Sequence, residues 1–305
     1  MTPLFYLTLF LAASFLMIWR LEAMAAQGME ATVLGTLIMP YCTGMGNLVF
    51  AFLMGAKGGS GTDVVTNCLV NNVTNLTLLV GLPMGIWGMP KGPKLDRRAI
   101  LGTVLAALLF TIAAWLLPCD AIITFGGGLI LIALFLAWQG WHVLAAIKSG
   151  SGRGARYAVF LAIDLALLLA GSYALYISTD WLSSWLSSIH SGFLSARYLG
   201  WWSGWLDVLP NGALAFYYGW KRQPEVVYTS QIGDGHICIP LGLGVFALFR
   251  PLEVGPFFHT GMLILVASAL VHLVFVSGFG RLPRVAGWLL VAAYGIFLYA
   301  GLIKK

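Results

Sequence analysis

Ten mostly apolar runs, each near the length a helix needs to cross the hydrocarbon layer of a bilayer, leave this chain few ways to fold. About 20 residues suffice for one crossing. The runs fall at 3–19, 31–56, 64–89, 99–117, 121–147, 157–177, 199–220, 226–249, 257–277 and 285–303. Only 9% of the 305 residues are charged and 60% are hydrophobic, too little charge to cover a water-facing domain. A soluble enzyme, a nucleic-acid binder and a disordered scaffold are thereby excluded. The net charge of +6 sits in short clusters between apolar runs, which points away from DNA. The expected class is an all-α polytopic membrane protein whose first partner is the lipid bilayer.

The remaining composition adds little chemistry. Cys42, Cys68, Cys119 and Cys238 form no CxxC pair, and three of them, within or beside apolar runs, read as small core residues. The first run lacks a basic segment ahead of it and a small-residue cleavage site, so it is expected to stay as a helix. The one sizeable connection is 178–198. There Trp181, Trp185 and Ile189 recur every four residues among serines, which predicts either a short amphipathic helix in the interface or a Trp-rich interfacial loop.

Basic residues test the count, because cytoplasmic loops carry excess Lys and Arg. With the N-terminus outside and the runs alternating, 12 of the 17 basic residues fall inside, at Arg20, Lys91, Lys94, Arg97, Arg98, Lys148, Arg153, Arg156, Lys221, Arg222, Arg281 and Arg284. Lys57, Arg197, Arg250, Lys304 and Lys305 fall outside. This bias predicts ten helices with both termini on the non-cytoplasmic side, in a membrane such as the prokaryotic inner membrane.

The chain also matches itself. An offset of 164 residues lays GNLVFAFLMGAK at 46–57 on PNGALAFYYGWK at 210–221, pairing Asn47 with Asn211 and Lys57 with Lys221. At the same offset Thr66-Asn67 meets Ser230-Gln231, and Asn72 meets His236. The copies lie in the second and seventh runs, and an odd separation turns one upside down relative to the other. Inverted repeats of this kind place substrate sites near the midplane where the copies meet. The expected division is a first repeat over 1–147, a basic linker over 148–156 and a second repeat over 157–305. Pro40, Thr43, Gly44 and Gly46 in one copy, and Asp207, Pro210 and Gly212 in the other, predict interrupted helices facing a cavity.

The string TGMGN at 43–47, followed by TNCLVNNVTNLTLLVGL at 66–82, resembles the first signature of the calcium/cation antiporter family, which includes the sodium/calcium exchangers. DVLPN at 207–211 with SQIGDGHICIP at 230–240 is similar to the second. That signature reads approximately GTSLPE, then GNxxGSNIxN. The resemblance implies ten spans, outside termini and a central site built from spans 2, 3, 7 and 8. It also implies a glutamate ending each first motif, the two meeting to coordinate Ca²⁺ and Na⁺. Here those positions read Asn47 and Asn211, and the position ending the later motif is Asn75 in one copy and Ile239 in the other. Amides supply oxygens without charge, so tight Ca²⁺ exchange is not expected.

Three carboxylates remain inside the apolar runs: Asp164, Asp207 and Asp234. Intramembrane acids are functional candidates by default, and each also has a structural alternative: a helix–helix ion pair, a helix cap, or an internal pair with His236. The candidate ion-binding set is Thr43, Asn47, Asn72, Asn75, Asp207, Asn211, Asp234 and His236. Two functions fit. One is a cation or cation/proton antiporter with an altered site, carrying a monovalent cation. The other is a transport-inactive structural subunit of a larger membrane complex. Neither calls for a cofactor, and the scattered histidines lack metal-ligand spacing.

Overall fold

A computed structural model describes residues 2–26, 44–88, 97–148, 155–222 and 224–303. Ten helices are found among them. They are α1 (Pro3–Ala26), α2 (Met45–Lys57), α3 (Gly61–Val73, continued through Thr74–Leu79 and Val80–Trp87), α4 (Arg97–Leu116) and α5 (Phe125–Lys148). The second five are α6 (Ala155–Ser187), α7 (Leu199–Trp220), α8 (Pro224–Ile237, continued through Cys238–Gly242 and Leu243–Phe249), α9 (Pro256–Phe279) and α10 (Arg284–Leu298, closing in Tyr299–Ile303). Most of the basic linker, and the first part of the 31–56 run, lie outside the described residues.

Large apolar side chains cover the outside of the bundle, among them Leu116, Leu169, Trp141 and Val285, each at least 70% exposed. Such a surface suits hydrocarbon and not water. The polar residues turn inward instead: Asn47, Asn67, Asn71, Asn75 and Gln231 are wholly buried. One large apolar core joins α2–α5 with α7–α10. Phe10, Ala13 and Met17 of α1 form a separate cluster with Leu168, Leu175 and Leu182 of α6. Arg20 Nη1 donates to Asp164 Oδ1 at 3.2 Å, so this intramembrane acid is paired across the same two helices.

Helix ends gather in the alternating order that ten crossings require. At one end Lys57 pairs with Asp180, and Gly200 N donates to Asp63 Oδ1 at 3.3 Å. At that end also the turn after α4 pairs Ile122–Ile123 antiparallel with Leu252–Glu253 in the turn after α8. Trp87, Arg281 and Arg284 meet at the other end.

The 164-residue offset reappears in the backbone. Each repeat carries a π-helical turn in its third helix, starting at Thr74 in α3 and at Cys238 in α8. The causes differ. In α3, Thr74 Oγ1 and Thr77 Oγ1 donate back to Val70 O and Val73 O, which competes with the regular ladder. Buried His272 Nε2 lies 2.8 Å from Leu76 O and takes up another carbonyl of the same turn. In α8, Pro240 has no N–H to give. The copies also cross each other through paired glycines. A Cβ at Gly81 of α3 would sit 2.6 Å from Gly287 O of α10, and one at Gly128 of α5 would sit 2.8 Å from Gly244 O of α8. Small residues at such crossings let helix backbones touch, which is how helices gain contact in lipid.

Two expectations are corrected. Residues 178–187 are not a separate interfacial element, because α6 simply continues to Ser187. No Gly or Pro interrupts 172–191, Leu175, Leu182 and Leu186 keep helical spacing toward the interior, and Trp181 stacks on Tyr6 of α1 with ring centroids 4.3 Å apart. Nor does Pro210 break α7, which runs unbroken from Leu199 to Trp220. Proline removes a single donor, and a membrane helix packed among neighbours tolerates that loss. The helical irregularities lie in α3 and α8 instead, and at the π-helical close of α10.

Candidate cation site

Asn67, Asn71 and Asn75 recur at every fourth position of α3 and so share one face. That face meets α2 and α7. Asn75 Nδ2 donates to Asn71 Oδ1 at 2.5 Å, Asn71 Nδ2 to Asn47 Oδ1, and Asn47 Nδ2 to Asn67 Oδ1 at 2.9 Å. Asn67 Nδ2 then donates to Asp207 Oδ2 and to Ser203 Oγ, both at 3.0 Å. Four amides thus run head to tail into a carboxylate. The direction of the chain follows from its end. An ionised carboxylate only accepts, so Asn67 must present its nitrogen to Asp207 and its oxygen to Asn47, and the constraint passes back to Asn75. Each bond in such a row polarises the next. Cys238 Sγ adds a weak donor to Asn47 Oδ1 at 3.1 Å.

Gly46 makes this arrangement possible. A Cβ there would collide with Asp207 Oδ1. Asp207 stands where the second copy's motif has its threonine position, one helical turn before Asn211, and it reaches α2 only over a bare backbone. Asp207, Asn211, Pro210 and Gly46 line one side of a void of about 10 Å³, closed on the other side by Phe10, Ser14 and Ile18 of α1 and Leu175 of α6. That is room for about one water-sized particle. Asp207 is the one carboxylate among the described residues of its lining.

The other candidates are placed as follows. Asn75 begins the amide chain. Gln231 Nε2 of α8 donates to the backbone O of Asn211 at 3.3 Å, the second-copy counterpart of the Asn67–Asn47 bond. Asn72 faces away from the asparagine stripe: its Nδ2 donates to Cys68 O at 2.8 Å, and its Oδ1 lies against Gly235. Thr43 lies outside the described residues. Asp234 lies within α8, and its side chain is outside the described set. His236 was expected to flank the site beside Asp234. Its ring instead packs against Phe110 and Trp138, at 5.8 Å from each centroid, and its Nε2 meets Thr103 O of α4 at 2.8 Å. No cluster of three or more His, Cys, Asp or Glu that could hold a metal is found among the described residues. Gly46, Asn67, Asn71 and Ser203 were absent from the expected set. The spacing of the asparagines is a signal for two of them.

Ten helices in two inverted halves, with a buried polar centre where the halves meet, define a polytopic membrane transporter fold. The chain belongs to the sodium/calcium exchanger protein family, whose model matches residues 2–141 and again residues 163–302. No curated protein matches the sequence. Among solved structures, the sodium-calcium exchanger NCX_Mj soaked with 10 mM Na⁺ and zero Ca²⁺ is similar over 98% of this chain and 97% of its own, with a TM-score of 0.70 and 21% identity. The H⁺/Ca²⁺ exchanger CAX is similar over 98% of this chain and 82% of its own, with a TM-score of 0.73 and 16% identity. At these identities the likeness is one of fold.

Proposed function

We propose that this protein is a cation or cation/proton antiporter whose central charge has moved from the two family glutamate positions to Asp207. The observation that carries the reading is the Asp207 carboxylate, held by Asn67 and lining a void with room for one particle. A lone carboxylate away from bulk water balances one positive charge, so a monovalent cation and a proton compete for it. A dehydrated Ca²⁺ would keep about one uncompensated charge in a low-dielectric site, a cost of several kcal/mol. Asp234, on the facing repeat segment, is proposed to carry the proton of a cation/proton exchange and not to share the ion at Asp207. The basic residues place both termini on the non-cytoplasmic side of what we take to be a prokaryotic inner membrane.

One observation favours the alternative, a structural subunit without transport. The Asn47 amide is already engaged by Asn67, Asn71 and Cys238, and so offers little to an incoming ion. Reconstitution in vesicles under Na⁺, K⁺, Ca²⁺ and H⁺ gradients separates the two readings. Monovalent flux that is lost in Asp207→Asn, with the variant still folded, supports the antiporter. Absence of wild-type flux under every gradient, with a second membrane protein co-purifying in fixed ratio, replaces it with the subunit.

A further inference from the structure

At the end of the bundle away from the Lys57–Asp180 pair, the last turn of α3, the end of α9 and the turn into α10 enclose a cleft of about 550 Å³. Its walls are of two kinds. Arg281 and Arg284 supply two cations, and Trp87, Phe275 and Phe279 supply an aromatic face. Both arginines are exposed, and among the described residues neither makes an ion pair or a hydrogen bond to a side chain. Arg284 lies across Gly88, which takes a left-handed conformation (φ 67°) at the end of α3, and a Cβ there would approach its Nε to 3.0 Å. The end of α3 thus gives Arg284 some compensation from its last carbonyls.

We infer that this cleft binds the headgroup of an anionic phospholipid. The phosphodiester would sit between the two guanidiniums, which match phosphate oxygens in planar, forked geometry. The acyl chains would continue along the apolar wall, where Phe279 is 63% and Trp288 of α10 is 50% exposed. A free phosphate would satisfy the charge and leave that wall unused, so the lipid is the better fit. Basic pockets between membrane helices on the cytoplasmic side are a recurring way of holding acidic headgroups. The inference does not depend on whether Asp207 carries a cation.

The test is native mass spectrometry of the full chain in mild detergent, titrated with phosphatidylglycerol or with phosphatidylcholine of the same acyl chains. The expected result is that phosphatidylglycerol binds at least tenfold more tightly than phosphatidylcholine. The preference should be lost in Arg281→Ala/Arg284→Ala, partly kept in Arg281→Lys/Arg284→Lys, and unchanged in Arg197→Ala at the opposite end. Equal binding of the two lipids, or an undiminished preference in the double alanine variant, overturns the proposal. Inorganic phosphate that displaces the lipid at comparable concentration also overturns it, in favour of a free-anion site. If the double variant does not fold, Arg281→Gln is read in its place. A fall of threefold or more is expected, and an unchanged preference counts against the lipid.

Discussion

The two copies of the repeat share a backbone and divide the chemistry between them. In the first, α2 and α3 carry a continuous line of neutral amides from Asn75 to Asn67. In the second, α7 supplies the carboxylate Asp207, while α8 turns His236 toward α4 and α5 and has Ile239 where its counterpart has Asn75. One copy therefore orients dipoles and the other holds charge. Evolution of an inverted repeat need not keep both halves equivalent, provided that the pieces meet at the centre. Position 46 shows the coupling: the first copy gives up a side chain there so that the second can place an acid.

The sharpest way to break this division is to remove the charge. Asp207→Asn is expected to lower monovalent cation flux by two orders of magnitude or more, with the thermal midpoint in detergent little changed, because Asn can still accept from Asn67. Flux that survives would move the functional charge elsewhere, with Asp234 the next to be tested. The next largest effect is expected at Gly46. Gly46→Ala forces a methyl into the Asp207 carboxylate and should cost about 1–3 kcal/mol in stability as well as cation affinity. Its second-copy counterpart, Pro210→Ala, restores a helix donor and should be tolerated; equal damage at both positions would undo the asymmetry.

Smaller effects separate packing from transport. His236→Phe should leave flux unchanged and destabilise by about 1–3 kcal/mol, because Thr103 O loses a buried donor. A flux defect at normal stability would return His236 to the site. The smallest change is expected for Lys57→Ala. The Lys57–Asp180 pair is largely exposed, with side chains 55% and 34% accessible, and such pairs contribute about 0–1 kcal/mol. A thermal melt with raised salt measures it.

Much of the fold was legible because bilayer thickness sets run length and because the 164-residue offset survives in side chains as distinct as Asn47 and Asn211. Leu199–Trp220 coincides with its apolar run. The length of α6 was not legible, because serines and tryptophans at 178–187 look interfacial until Leu182 and Trp181 are seen packing on α1 and its Tyr6. The π turns escaped because Thr back-bonding and a lone proline act through backbone geometry and not through hydropathy. At the site, Asp207, Asn47 and Asn75 stood out as polar residues within apolar runs. Ser203 did not, and Gly46 read only as a helix interruption, since their roles arise from contact between helices far apart in sequence. The place of His236 was not legible, because only the packing of α8 on α4 and α5 sets its ring against Phe110 and Trp138.

The glycine crossings bear on how the molecule is made. The groove at Gly81 on α3 is filled by Gly287 of α10, which leaves the ribosome roughly 200 residues later, and long-range closures of this kind are slow. Until then α3 exposes a seam of bare backbone within the bilayer, while Gly128 of α5 waits for Gly244 of α8. The first half is therefore not a finished unit when synthesis passes the linker. It is held open for the second half, and the order of synthesis makes α10 the helix that closes the bundle.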